Sequence, residues 1–115
     1  MGKIYVVGIG PGNRENMTEA CLSYLNKADI IVGYTGYISL LRPIYPDKEY
    51  YETGMMQEKE RCVKAIEFAT AGKTVCVVSS GDSVIYGMAG LIFELAGDTP
   101  FIDIEVIPGV SAALS

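Results

Sequence analysis

The sequence of 115 residues contains no histidine and only 3 cysteines. Without an imidazole, these residues can supply no histidine base, nucleophile or metal ligand, which excludes Ser-His-Asp and Cys-His mechanisms. Cys21, Cys62 and Cys76 are odd in number, far apart and set in apolar segments, so they favour neither a disulfide framework nor a metal cluster. We therefore expect three buried thiols in a reducing cytoplasm and no protein-bound metal.

Positive charge is also scarce, with 9 Lys+Arg against 14 Asp+Glu, a net charge of −5 and a pI of about 4.6. The basic residues are scattered singly, so no patch would neutralise a row of phosphates and nucleic acid is not an expected partner. No apolar run approaches the roughly 18–20 residues that cross a bilayer. The first residues carry neither a signal-peptide pattern nor a myristoylation motif. We expect a soluble cytoplasmic protein with no membrane partner.

Hydrophobic residues make up 50% of the chain and the mean hydropathy is +0.27, which fits one globular domain with its own core. Short apolar runs alternate with helix-like runs, which is typical of an α/β fold. The predicted strands cover residues 3–7, 29–32, 49–52, 74–79 and 102–107, and the predicted helices cover residues 18–28, 37–41, 57–71 and 88–95. The expected fold is therefore α/β, with an open, mostly parallel five-stranded sheet and helices on both faces.

The clearest helical pattern lies over residues 57–71. Its apolar stripe consists of Cys62, Ala65, Ile66 and Ala69. Glu60 and Lys64 are spaced for an i,i+4 ion pair on the other side, and Gly72 predicts the end of the helix. A last helix is predicted to begin near Ser111, so the chain stops soon after an apolar element begins, and we expect it to be a fragment of a longer chain.

Three glycine-containing loops each follow a predicted strand, at residues 8–13, 79–83 and 108–112. In an open parallel sheet, ligands bind outside the carboxyl ends of the strands. Glycine lets a ligand approach the backbone amides closely because it has no side chain. One such loop is more often a turn than a ligand site, but three at the same edge predict a ligand site.

A dinucleotide site is the first alternative for these loops. Its motif needs G-x-G-x-x-G opening directly into a helix, with an acid after the second strand. Here Pro11 interrupts the glycines at residues 8–12, and residues 33–34 are Gly-Tyr where the acid should stand. Residues 72–74 read Gly-Lys-Thr like the end of a phosphate loop, but they follow a helix and precede a strand, the reverse of that motif. Both nucleotide alternatives are disfavoured.

Together the three loops resemble those of the tetrapyrrole methylases, which are S-adenosylmethionine-dependent enzymes of the sirohaem and cobalamin pathways. The loops are similar to that family's G-x-G-P-G, G-D-P-x-x-Y/F-G and P-G-[VIT]-[ST]-A motifs, and the resemblance covers the whole chain. Residues 33–37, 53–62 and 79–90 resemble more narrowly the branch that methylates C-17 of precorrin-3B or cobalt-precorrin-3, with ring contraction. The resemblance implies a C-methyltransferase of cobalamin biosynthesis, with residues 1–115 as its N-terminal domain and a second α/β domain beyond.

The resemblance also implies which residues form the site. The methyl donor, S-adenosylmethionine, would contact Pro11, Ser80, Gly81, Asp82, Ile85, Ser111 and Ala112. The tetrapyrrole substrate would contact Gly10, Gly12, Asn13, Arg14 and Tyr86. Asp82 would hold the donor by hydrogen bonds, and Arg14 would pair with a substrate carboxylate. Two positions depart from the family pattern, because Asn13 stands where an acid is usual and Ser83 stands where a proline is usual.

Methyl transfer from a sulfonium needs little acid–base help, so positioning dominates and a site without histidine suffices. Ring contraction needs proton management, for which Tyr34, Tyr37, Glu58 and Tyr86 are candidates, and the catalytic residue stays unknown. Any cobalt would be carried by the substrate. The resemblance further implies a homodimer of the full-length protein.

Three alternatives stay open at this point. The chain could belong to another tetrapyrrole methylase of the cobalamin or sirohaem pathway. It could instead be a nucleotide-binding oxidoreductase domain, which competition by a nicotinamide nucleotide would separate. It could also be a fragment that folds and binds nothing measurable, because half a cleft leaves a ligand half solvated.

Overall fold

The computed structural model describes residues 2–9, 19–80, 82–97 and 102–107. These residues form a five-stranded sheet and four helices. The strands are β1 (Lys3–Ile9), β2 (Ile30–Tyr34), β3 (Glu49–Thr53), β4 (Thr74–Ser80) and β5 (Asp103–Ile107). The helices are α1 (Glu19–Lys27), α2 (Thr35–Leu41), α3 (Glu58–Thr70) and α4 (Asp82–Leu95). The strand order is β3-β2-β4-β1-β5 and each neighbouring pair is parallel, which confirms the predicted α/β class.

Each face of the sheet is covered by its own pair of helices. On one face, Ile4 and Val6 of β1 pack with residues of β2 and β4 against α3 and α4. On the other face, Val7 of β1 packs with Ile31 and Val78 against α1 and α2. The central strands are therefore buried on both faces, which explains why β1 and β4 read as continuous apolar runs.

Helix α4 begins at Asp82, six residues before the start predicted near Met88. Gly87 and Gly90 weaken the helical pattern, but both are exposed and a Cβ at either position would meet nothing within 4 Å. The helix therefore tolerates these two glycines. Asp82, an acidic residue in the first turn, is of a type that stabilises the positive N-terminal end of the helix dipole. The predicted loop at residues 79–83 is correspondingly shorter, because β4 continues to Ser80. The helix predicted near Ser111 lies outside the described residues.

Helix α3 confirms most of its sequence pattern but not its ion pair. Cys62, Ala65 and Ala69 are fully buried or nearly so, and Gly72 ends the segment with a φ of +96°. Lys64 pairs with Glu67 at 3.3 Å rather than with Glu60. The carboxylate of Glu60 instead accepts a hydrogen bond from the hydroxyl of Tyr51 on β3. The predicted i,i+4 pair was wrong because a neighbouring strand supplies Glu60 with a partner.

We expect Gly90→Ala to raise the free energy of unfolding by about 0.5–1 kcal/mol, because glycine in a helix interior costs that much relative to alanine. The matched variant Gly72→Ala should lower it by about 1–2 kcal/mol, since its positive φ disfavours any L side chain. Urea denaturation of both variants measures the two changes. A loss of stability in Gly90→Ala would show that this face of α4 is covered in the protein.

The three cysteines are buried, as predicted. Among the described residues, no group of three His, Cys, Asp or Glu side chains could hold a metal ion. No helix in that part of the chain is long and apolar enough to cross a membrane.

Candidate functional site

The connections of β1 and β4 leave these neighbouring strands in opposite directions. From β1 the chain passes through α1 to β2 on one side, and from β4 it passes through α4 to β5 on the other. Such a topological switch point opens a crevice at the carboxyl ends of the two strands, where open α/β sheets bind ligands. Ile9 and Ser80, the last residues of the two strands, are paired in the parallel register.

Four predicted site residues have their backbone at this switch point. Ser80 is the last residue of β4, Asp82 is the first residue of α4, and Ile85 and Tyr86 follow in the first turns of that helix. For these four residues the structure describes the backbone and not the side chains. The remaining predicted site residues lie wholly outside the described residues: Gly10, Pro11, Gly12, Asn13, Arg14, Gly81, Ser111 and Ala112. The first and third loops follow β1 and β5, whose residues Val7 and Ile107 are paired.

A pocket of about 260 Å³ lies beside the switch point, at the carboxyl ends of β2, β3 and β4. Val78 and Ser79 of β4 contribute to it, so it adjoins the switch point. Its other lining residues are Tyr34, Tyr37, Met55, Met56, Glu58 and Arg61, and we call it the Arg61 pocket. It brings together three of the four side chains considered for proton transfer. The fourth, Tyr86, has no described side chain.

The tyrosine wall of the Arg61 pocket depends on close packing at the end of β2. A Cβ at Gly33 would lie 2.4 Å from Cγ2 of Val78, so glycine at this position leaves room for the Val78 side chain. Tyr34 follows directly and packs edge-on against Tyr37 of α2, with ring centroids 5.6 Å apart. The residues Gly33, Tyr34 and Tyr37 singled out in the sequence thus form one packed unit.

The opposite wall is the turn between β3 and α3. The backbone N–H of Gly54 donates a hydrogen bond to Oε1 of Gln57 at 2.8 Å, which closes the turn. Met55 and Met56 at its tip are 75% and 89% exposed, and Met56 has a φ of +60°. Two large apolar side chains are therefore held in solvent at the rim of the pocket by a left-handed backbone that methionine rarely adopts.

Arg61 lies in the inner wall of the pocket and is only 7% exposed. Its Nη1 donates hydrogen bonds to Oγ1 of Thr53 at 2.6 Å and to the carbonyl of Gly54 at 3.3 Å. Its Nη2 is 3.8 Å from Oε2 of Glu58, which is beyond hydrogen-bond distance. Its Nε is buried and has no hydrogen-bond partner among the described residues. The guanidinium is therefore held through Nη1, while its buried Nε and its Nη2 form no hydrogen bond with the described residues.

The sequence predicted no role for Arg61, although it lies in residues 53–62, one of the segments that resemble the C-17 branch. A usable signal was present, because Arg61 precedes Ala65 and Ala69 at intervals of four along the buried side of α3. A charged residue in register with an apolar stripe predicts a buried charge, which needs a partner.

The thiol next to Arg61 is not an activated nucleophile. Burial raises the pKa of Cys62 to about 11, and the nearby Arg61 guanidinium only partly opposes this. Its Sγ faces the carbonyl of Met88 at 3.9 Å. Cys62 therefore stays protonated at neutral pH and lacks the thiolate character of a reactive cysteine.

The fold is an open parallel α/β domain of the kind that binds ligands at the carboxyl edge of its sheet. At that edge lie the switch point between β1 and β4 and, beside it, the Arg61 pocket. The family model of the Tetrapyrrole (Corrin/Porphyrin) Methylases matches residues 3–115. The chain belongs to this family, as the three loops predicted.

Among curated relatives, the chain is 44% identical over 111 residues to the probable cobalt-factor III C(17)-methyltransferase of Salmonella typhimurium, covering 96% of this chain and 46% of that protein. It is 40% identical over 116 residues to the cobalt-factor III methyltransferase of Priestia megaterium, covering 96% of this chain and 22% of that protein. The crystal structure of the methyltransferase CobJ superposes with a TM-score of 0.81 at 35% identity, covering 99% of this chain and 48% of that structure's chain. The chain thus spans less than half the length of these proteins.

Proposed function

We propose that the chain is the N-terminal domain of an S-adenosylmethionine-dependent methyltransferase that methylates C-17 of a corrin precursor, cobalt-factor III or precorrin-3B, in cobalamin biosynthesis. The observation that carries the proposal is spatial. The segments whose residues resemble the C-17 branch contribute to the Arg61 pocket, at one edge of the sheet, the residues Tyr34, Tyr37, Met55, Met56, Glu58, Arg61 and Ser79. The names of the relatives support the same reaction.

The reaction suits residues that position rather than exchange protons. When bound, S-adenosylmethionine supplies a methyl group on a sulfonium, and its thioether leaves as a neutral product. The chain's task is then to hold donor and acceptor in line. Gly8 and Ser79, paired at the ends of β1 and β4, are small and leave room for a ligand at the switch point. A chain without histidine fits this chemistry.

We assign roles at the switch point as the family resemblance implies. The donor is held by Asp82 together with Pro11, Ser80, Gly81, Ile85, Ser111 and Ala112. The tetrapyrrole lies against Gly10, Gly12, Asn13, Arg14 and Tyr86. A second α/β domain of the complete protein would cover the other side of the donor, and the complete protein would be a cytoplasmic homodimer. The shares of the relatives' lengths that the chain spans support the second domain.

The test is methyl transfer by the complete protein, with S-adenosylmethionine and cobalt-factor III under anaerobic conditions. The expected result is a singly methylated product by mass spectrometry and no product from uroporphyrinogen III. Methylation of uroporphyrinogen III instead would contradict the proposed substrate and assign the chain to another branch of the family.

Donor binding is tested separately by calorimetric titration of S-adenosylhomocysteine, with NAD and ATP as comparators. We expect Asp82→Ala to weaken binding at least about tenfold, because a lost hydrogen bond to a charged group has that effect. The matched control is Asp103→Ala, since Asp103 is exposed at the amino end of β5, on the opposite edge of the sheet. Selective binding of NAD, or equal losses in both variants, would contradict the proposed donor site.

A further inference from the structure

Arg61 is an incompletely satisfied buried cation. A guanidinium has five N–H donors, and here the two hydrogen bonds to Thr53 and Gly54 both come from Nη1. Nε has no partner among the described residues, and Nη2 has only the carboxylate of Glu58 at 3.8 Å. Buried polar groups in native proteins are almost always paired, so the unpaired Nε of this pocket-lining residue is an exception that a bound ligand would explain.

The unpaired donors define the shape of such a ligand. Nε–H and one N–H of Nη2 are parallel along the same edge of a guanidinium, which matches the two oxygens of a carboxylate. The opposite side is held by Thr53, whose own carbonyl accepts a hydrogen bond from Oγ1 of Thr35 at 3.1 Å. The fork is therefore oriented before any ligand arrives, which lowers the entropic cost of binding.

The walls of the pocket indicate what carries the carboxylate. A volume of about 260 Å³ accommodates a carboxylate on a short alkyl arm but not a whole macrocycle. At the rim, the exposed side chains of Met55 and Met56 offer adaptable apolar surface to whatever lies outside. The matching ligand is a large apolar ring that inserts one acidic side arm.

We propose that Arg61 binds one peripheral carboxylate of the tetrapyrrole substrate through Nε and Nη2, and thereby fixes the rotation of the macrocycle over the switch point. This assignment rests on the proposed function. Because the pocket adjoins β4, a carboxylate held there anchors the ring beside the crevice assigned to the methyl donor. Arg61 is thus a substrate-positioning residue that helps to decide which ring carbon is presented.

Glu58 competes with that carboxylate. Its side chain is about half exposed and its Oε2 lies nearest to Nη2, so it partly screens the guanidinium when no substrate is bound. Since it reaches only 3.8 Å, it is displaced without breaking a hydrogen bond. Removing its charge should therefore strengthen substrate binding, which is the opposite of the effect of removing Arg61.

The experiment measures the affinity of the complete protein for cobalt-factor III by absorbance titration, and KM and kcat for methyl transfer. We expect Arg61→Gln to weaken tetrapyrrole affinity about 10- to 100-fold, as the loss of a charge-assisted bidentate contact should. KM for S-adenosylmethionine should stay within about twofold. Arg61→Lys should restore only part of the affinity, because lysine keeps the charge but not the fork. Glu58→Gln should tighten binding.

The matched control is Arg42→Gln. Arg42 also forms an ion pair with a glutamate, Glu52 at 2.6 Å, but its side chain is half exposed and lines no part of the Arg61 pocket. Its removal should leave tetrapyrrole affinity unchanged. Circular dichroism establishes that each variant is folded, and if Arg61→Gln does not fold, Arg61→Lys and Glu58→Gln still decide the question.

Unchanged tetrapyrrole affinity in folded Arg61→Gln, or weaker binding in Glu58→Gln, would overturn the assignment. The titration needs no turnover, so it separates this assignment from the proposed reaction. A wild-type protein that binds cobalt-factor III without methylating it would overturn the proposed reaction, while the Arg61 variants would still test the pocket. A wild-type protein that binds no tetrapyrrole would overturn both.

Discussion

Truncation of Ile92 to alanine is expected to lower the free energy of unfolding by about 2–5 kcal/mol. Ile92 is fully buried in the cluster between α4, α3 and the sheet, where it packs with Val6 and Val77. The cost combines the lost transfer free energy of the removed atoms with the cavity they leave. Urea denaturation followed by circular dichroism measures it. Since α4 begins at Asp82, a loosened helix should also weaken donor binding in the complete protein.

The matched control is the next residue, Phe93, whose side chain is larger but 56% exposed. If burial and not hydrophobicity sets the effect, Phe93→Ala should change stability by less than about 1 kcal/mol. Equal losses at the two positions would contradict the difference in burial between Ile92 and Phe93 on which this prediction rests.

The sheet was predictable because its central strands are buried on both faces. Continuous apolar runs such as Ile4 to Val7 have few other interpretations when a glycine loop follows. The start of α4 was not predictable by the same reasoning, because Gly87 and Gly90 interrupt its apolar pattern. Their cost is tolerated because α4 buries Met88 and Ile92 against the sheet. Local propensity yields to tertiary packing there.

The candidate site likewise has one part that the sequence predicts and one part that it does not. The position of Ser80 and Asp82 at the switch point follows from strand and helix order, which sequence pattern predicts. The role of Arg61 does not follow from its neighbours in the chain. Its partner Thr53 belongs to another element, β3, and its burial depends on how α3 packs. Interactions between elements are the part of a site that a single sequence leaves undetermined.

Alkaline pH is expected to destabilise the protein through Cys76. Burial raises the pKa of this thiol from its usual 9.0 to about 12, although Lys48 partly opposes the shift. Above pH 9 the unfolded chain therefore releases a proton that the folded chain retains, so the unfolded state binds fewer protons and the free energy of unfolding falls as pH rises. Below pH 9 this thiol contributes no pH dependence.

The decline should reach about 1.4 kcal/mol for each pH unit between pH 9 and 12, or about 4 kcal/mol in all. Because tyrosines titrate in the same range, the measurement is the difference between wild type and Cys76→Ser in urea denaturation at pH 7, 9, 10 and 11. Serine can still donate to the carbonyl of Tyr24, which the Cys76 thiol meets at 3.2 Å, but it does not ionise. Wild type should lose stability faster than the variant above pH 9. Parallel curves would mean that water reaches Sγ in the folded state, and that α1 packs less tightly on β4 than its burial implies.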